Sequence, residues 1–194
     1  MLKNLLVLVL LSSGVYYYWI TRPVTHGPGI VAPEAPVQKA IGNEDPFHYK
    51  GFKLTPKAKI EFEARVLSIE NYYFDSFTEL TNTDIVFGWG EMSDERNLES
   101  LLVRQSDRSF YWEMTTPPIE QHQMWQQTAN MHLIGPTKEI RQKIKMLRKG
   151  HIVKVEGTLV NASSESWTFK TSLSREDIGN GSGELIWINS ISIL

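Results

Sequence analysis

The sequence has no cysteine, which excludes disulfides, thiolate metal sites and cysteine nucleophiles. It also lacks a dominant charge: 20 Lys and Arg stand against 22 Asp and Glu, for a formal net charge of −2. A general attraction to nucleic acid or anionic lipid is therefore not encoded, although local patches are not excluded. No G-x-S-x-G elbow occurs, and neither H-x-x-x-H nor H-E-x-x-H is present. Of the histidines, His122, His132 and His151 offer the nearest approach to a zinc set, but their spacings are not those of a ligand motif. The stretch 177–184 is rich in glycine and opens on Asp177. An EF-hand needs oxygen ligands at its third and fifth positions, where this chain has Gly179 and Gly181. No repeat of solenoid period is visible. These absences lead to the expectation of no catalytic residue, no metal and no cofactor.

What is present begins at the N-terminus. Lys3 precedes an apolar run, 5–11, that continues into Tyr16, Tyr17, Tyr18, Trp19 and Ile20. The apolar core is short against the roughly 20 residues of a spanning helix, but aromatic rings at headgroup depth complete it. A cleaved signal peptide is the rival reading. It would need small residues where the bulky aromatics stand. Residues 1–20 are thus expected to form an uncleaved signal anchor. Lys3 and Arg22 give little charge asymmetry, and the preferred topology places the trailing domain outside. Residues 21–46 carry Pro23, Pro28, Pro33, Pro36 and Pro46 and are expected to be a spacer in which neither helix nor sheet persists.

The domain itself is expected over 47–194. Residues 58–67 alternate Ile60, Phe62, Ala64 and Val66 against Lys59, Glu61, Glu63 and Arg65, the pattern of a strand with one wet face. A second strand runs to the glycine-bracketed Trp89. Short helices are predicted over 94–102, capped by Ser93, and over 117–127, with strands at 109–114 and 130–134. A helix over 137–149 puts Ile140, Ile144 and Leu147 on one face, with Lys138, Arg141, Lys145, Arg148 and Lys149 pointing away. Gly150 ends it. Strands over 151–159, 167–173 and 184–194 follow, and Gly157 marks a bulge or bend.

Three strands, a helix and two strands is the order of an OB-fold. The run Arg148-Lys149-Gly150-His151-Ile152-Val153-Lys154-Val155-Glu156-Gly157 resembles the fourth strand of that fold. The class expected is α+β, mainly β: an OB-fold-like small β-barrel with inserted helices, preceded by a transmembrane helix. Residues 87–94, Phe-Gly-Trp-Gly-Glu-Met-Ser-Asp, together with 172–177, Ser-Leu-Ser-Arg-Glu-Asp, are similar to an uncharacterised family of membrane-anchored bacterial proteins. That resemblance implies an envelope protein of the bacterial inner membrane, single-pass, with its domain in the periplasm. It carries no activity with it.

Loops at a barrel mouth are where such folds place ligands. Trp89, Ser93, Asp94, His132, Arg175 and Asp177 are accordingly the candidate contact residues. The pair Arg175 and Asp177 heads them, with an ion pair that fixes the loop as the plain alternative. The function expected is a membrane-tethered binding or assembly module that contacts an envelope protein, peptide or glycan. One alternative is an envelope hydrolase using Asp84, Asp94, His132 or Asp177. Another is a cytoplasmic-facing binder of single-stranded nucleic acid using the basic helix, with Trp112, Trp167 and Trp187 available for stacking. Acidic residues elsewhere and an outside location argue against nucleic acid.

Overall fold

The structure is a computed structural model that describes residues 2–42, 44–176 and 182–194. The chain opens with α1, Leu2–Thr21. From Lys3 to Thr21 this helix is exposed, and it is long and apolar enough to cross a membrane. The remainder is mainly β with short helices between strands.

One strand organises the rest. After β1 (Val37–Ala40) and β2 (Phe47–Tyr49), β3 runs for 20 residues, Phe52–Asn71. One of its edges pairs antiparallel with β8 (Ile152–Ser163), from Lys53↔Ser163 to Arg65↔Ile152. The other edge takes β2, then β1, then β4 (Thr83–Gly88) in succession. Pro56 has no amide hydrogen to give a ladder, and the β8 register shifts beside it, which is where a strand tolerates proline. Next along the sheet come β7 (Thr128–Ile134), antiparallel to β4, and β10 (Glu184–Ile193), parallel to β7 and antiparallel to β8. The strands therefore close a ring in the order β3–β4–β7–β10–β8–β3.

The ring encloses the main core. Ile60, Phe62, Ala64 and Val66 point inward from β3, and Val153, Val155 and Leu159 from β8, as the alternation predicts. Between β7 and β8 lies α4, Lys138–Lys145. Its Thr137 side chain accepts a hydrogen bond from the Ile140 amide, and Ile140, Ile144 and Leu147 pack into the ring. The outer face of the sheet carries two further clusters. Phe52, Leu54, Ile134, Leu185 and Trp187 form one; Leu67, Val86, Met92, Leu101 and Met124 form the other. The second is covered by a hairpin of β5 (Leu101–Ser106) and β6 (Ser109–Met114) and by α3 (Gln121–Gln126).

Several expectations are corrected. Instead of a helix over 94–102, α2 covers only Glu95–Leu98, because Leu101 and its neighbours are drawn into the hairpin. The predicted helix at 117 starts at Gln121, past the two prolines. The helix predicted to Lys149 ends at Lys145, with Met146 as its C-cap. Only Thr168–Phe169, β9, is strand within 167–173. Gly157 stays in register; the shift falls opposite it on β10, between Ile188 and Ser190. A side chain at Gly157 would meet Ile186 at 2.7 Å, so the glycine allows the two strands to approach. Sheet does form within 21–46, as β1 pairs with β3 from Val37↔Glu61 to Ala40↔Ala58. The supposedly wet Arg65 is buried.

Gly150 joins α4 to β8 with φ +91, and a Cβ there would collide with the Val24 carbonyl. Gly150→Ala is expected to destabilise the fold by about 1–3 kcal/mol, read as a lower urea midpoint. Gly27 has open space around it, and Gly27→Ala should stay within about 0.5 kcal/mol of the parent.

Candidate functional site

Of the six residues singled out from the sequence, the five that the structure describes fall in three places. Ser93 ends a 3₁₀ turn, Gly90–Ser93, and Asp94 caps α2. Both are turned toward the chain's own N-terminal segment. Ser93 Oγ accepts from the amides of Val31 and Ala32 at 3.2 and 3.1 Å, and Asp94 Oδ1 from Gly29 at 3.0 Å. Glu95 Oε2 accepts from the His26 amide at 2.9 Å, and Val24 donates to the Lys149 carbonyl at 2.8 Å. Residues 24–32 are thus a strap bonded along the domain through the amides its prolines leave. Asp94 lies just below the surface, closed off by the strap and Arg96 rather than deeply enclosed. The Arg96 guanidinium, with the Gly29 amide, outweighs its burial and holds its carboxyl well below the usual range. Burial pushes Glu95 up, but the His26 amide and Arg65 outweigh it and bring Glu95 below its ordinary value. At the strap's other end His26 Nε2 lies 2.7 Å from the carbonyl of Gly150, and His151 follows that residue. His151 Nδ1 accepts from the Arg148 amide at 3.1 Å; burial, then Arg148 and His26, push the His151 pKa down.

Trp89 and Arg175 meet at one end of the ring. Trp89 is 2% exposed, inside the core, and the Arg175 guanidinium lies 5.7 Å from its ring centroid. Arg175 is ion-paired with the buried Glu184. Asp177, its proposed partner, lies outside the described residues.

His132 stands on the outer face of β7, boxed edge-on by Phe77 and Phe169. Its Nδ1 is 2.8 Å from Asp84 Oδ1. The ring N–H is not directed at that oxygen, so this is a close electrostatic contact rather than an aligned hydrogen bond. Asp84 and His132 are 0% and 2% exposed.

The residue that joins these elements, Arg108, was not singled out in the sequence. It sits at the tip of the β5–β6 hairpin, where Asp107 and Arg108 have φ 50 and 63, the signature of a type I′ turn. Its guanidinium donates to Asp84 Oδ1 at 2.8 Å, to Asp75 Oδ1 at 2.9 Å and Oδ2 at 3.0 Å, and to the Thr81 carbonyl at 3.0 Å. It stacks 3.9 Å over Tyr72, and its amide donates to the Tyr72 hydroxyl. One cation therefore answers two carboxylates and locks the base of the 72–82 loop. The Arg108 hydrogen bonds hold Asp75 below its ordinary pKa, against burial. Burial raises Tyr72, outweighing its bond from the Arg108 amide.

Above that locked base the loop presents Tyr73, 69% exposed, and Phe74, fully exposed. Beside it, toward α4, opens a cleft of about 290 Å³ whose lining includes Lys50, Tyr72, Tyr73, Glu79, Arg141 and Lys145. The legible signal for this site was the cluster Tyr72, Tyr73, Phe74 and Phe77, which breaks the strand alternation. Among the described residues no three metal-ligating side chains converge. Comparison of the chain with protein-family models, with characterised proteins and with solved structures finds no significant match.

Arg108→Ala would leave the buried Asp84 carboxylate without its cation, at a cost of about 3–5 kcal/mol. Equilibrium denaturation should show that loss, and adding Asp84→Asn should recover part of it. Acid should free the strap in two stages. The folded pKa of His151 is depressed, so its contribution is present above 6.5 and declines as pH falls toward the folded value. Asp94 is likewise depressed; its contribution is present above 3.8 and is lost as pH falls through its folded value. Hydrogen exchange at the Gly29 and Ala32 amides, followed against pH, reads both stages, and His151→Gln should remove the upper one.

Proposed function

We propose that the protein is a membrane-tethered binding or assembly module of the bacterial envelope, built on an OB-fold-like barrel and engaging a partner protein through the 72–82 loop. The observation that carries this reading is the exposed pair Tyr73 and Phe74 on a loop whose base Arg108 clamps. Exposing a lone apolar side chain is unremarkable. Exposing two aromatic rings on a braced loop is a binding device, because the ordering cost of the loop is met before contact. The cationic side chains of the neighbouring cleft, Lys50, Arg141 and Lys145, suit an acidic segment of the partner. In support of the barrel reading, the ring has an OB-fold's strand order, with its one parallel pair between the third and fifth ring strands and α4 between the third and fourth. In support of the tether, α1 has the length and apolarity of a span; the periplasmic side is the topology this reading adopts.

One observation favours the hydrolase as a second reading, namely the approach of Asp84 to His132. His132 is covered by Phe77 and Phe169 and Asp84 is fully buried, so substrate access would require that cover to move.

The test is capture with a photo-crosslinking residue at position 74 in cells, followed by titration of the captured partner with purified full-length protein. Phe74→Ala is expected to weaken binding at least about tenfold, the scale of an aromatic hot spot, with the melting temperature unchanged. Affinity indifferent to both Tyr73→Ala and Phe74→Ala would overturn the reading. Turnover of an ester, amide or glycoside that Asp84→Asn abolishes would replace it with the hydrolase.

A further inference from the structure

We propose that the end of the domain nearest α1 rests on the bilayer itself, as an anionic-lipid-binding face built from the C-terminal ends of α4 and β10. The inference depends on α1 crossing a membrane. The connection leaves little freedom. Thr21 ends α1, and the Val24 amide is already bonded to the Lys149 carbonyl at 2.8 Å. Three residue steps reach at most about 10 Å and the hydrogen bond adds 2.8 Å, so the Lys149 carbonyl lies within about 13 Å of the end of α1. Arg148 comes closer still. Its guanidinium donates to the Trp19 carbonyl at 3.0 Å and approaches the Arg22 carbonyl at 3.5 Å, while Arg22 covers the Trp19 ring at 3.9 Å. A tryptophan at the end of a span sits at headgroup depth, and Arg148 is bonded to it.

The surface around that point has the chemistry of an interfacial contact. Lys143, Lys145 and Lys149 are exposed. Between them and the end of β10 lies a cleft of about 260 Å³, lined by Lys143, Met146, Leu147, Ile191, Ser192 and Ile193. Met146, Ile193 and Leu194 are exposed apolar side chains at this end of the domain. Leu194 is tied to the same end through its amide, which donates to the Ile152 carbonyl at 2.9 Å. On the adjoining strands Glu61 is bridged to Lys154 at 2.9 Å, with Glu63 and Glu156 near the same lysine, while the exposed Lys143, Lys145 and Lys149 face outward. Apolar side chains at the acyl boundary with lysines among the headgroups is the arrangement of a monotopic surface helix. Each cation held near an anionic surface strengthens association about fivefold.

The lack of cysteine makes the test direct, because one introduced thiol labels uniquely. Full-length protein carrying Met146→Cys, Ile193→Cys, Val9→Cys or Ser166→Cys is labelled with an environment-sensitive fluorophore. It is reconstituted into zwitterionic or anionic vesicles that contain lipid-borne nitroxide quenchers. Val9 reports insertion of α1; Ser166 lies beyond the far end of β8. The expected result is shallow quenching at 146 and 193 in anionic vesicles, about twofold or more above that at 166, reduced by Lys143→Gln with Lys145→Gln and Lys149→Gln. Quenching at 9 with none above background at 146 and 193 overturns the proposal and leaves the tether standing. Equal quenching in the two lipids also overturns it, since the anchor alone would then hold this face near the surface. A probe at 146 shielded from aqueous iodide but not quenched by lipid assigns the face to a protein, another copy included, and overturns it too. Absence of quenching at 9 removes both the tether and this face.

Discussion

Everything in the molecule depends on the pairing of β3 with β8. That ladder closes the ring, and closure is what removes two free sheet edges that would otherwise invite pairing with other chains. It also sets the inside and the outside. With period-two alternation, a slip of one residue between these strands would invert one of them, turning either Phe62 out and Glu63 in or Val155 out and Lys154 in. The register is protected by the two-sided burial of β3: its inner residues pack the ring core, while its N-terminal part packs Phe52 and Leu54 into an outer cluster. The irregularity beside Pro56 lets one strand serve both layers without breaking the ladder.

The elements that stand on this constraint were readable because their side chains repeat. Alternation in β3 and β8 and the spacing of Ile140, Ile144 and Leu147 in and just after α4 each report burial on one face, and the structure places those residues in the core. The strap was not readable. Its bonds run through backbone amides, which every non-proline residue carries, so nothing in residue type marks Gly29 or Ala32 as donors to Asp94 and Ser93. The β5–β6 hairpin was read only in part because it packs on the outside of a closed sheet, where one half-buried face leaves a weak pattern. Arg108 was missed for a related reason. Its partners Asp75 and Asp84 lie 33 and 24 residues away, and its turn is of a kind that usually signals itself with Asn-Gly or Asp-Gly, not Asp-Arg.

The candidate residues taken from the sequence share one property: each that the structure describes is engaged inside the chain. Ser93 and Asp94 hold the strap, Arg175 holds Glu184, Trp89 fills the end of the core, and His132 is enclosed with Asp84. Polar groups conspicuous in a loop are often conspicuous because something buried requires them. What the fold leaves outward is different in kind: aromatic rings on a loop braced by a single half-buried cation, and lysines around an apolar cleft. The first depends on Arg108 bonding two carboxylates at once, so the display of Tyr73 and Phe74 is linked to the packing beneath it.

The strap changes the geometry of any encounter. A flexible spacer of the length of 21–46 would let the domain wander, with a root-mean-square span of about 25–30 Å. Bonded from Val24 to Ala32, the segment spends that length on the domain's flank, and only Arg22 and Pro23 remain between helix and fold. With α1 in a bilayer, the 72–82 loop would then sweep a thin shell at nearly constant height rather than a hemisphere. A partner confined to the same membrane would meet it at a high effective concentration, and one free in the surrounding volume would gain nothing from the tether.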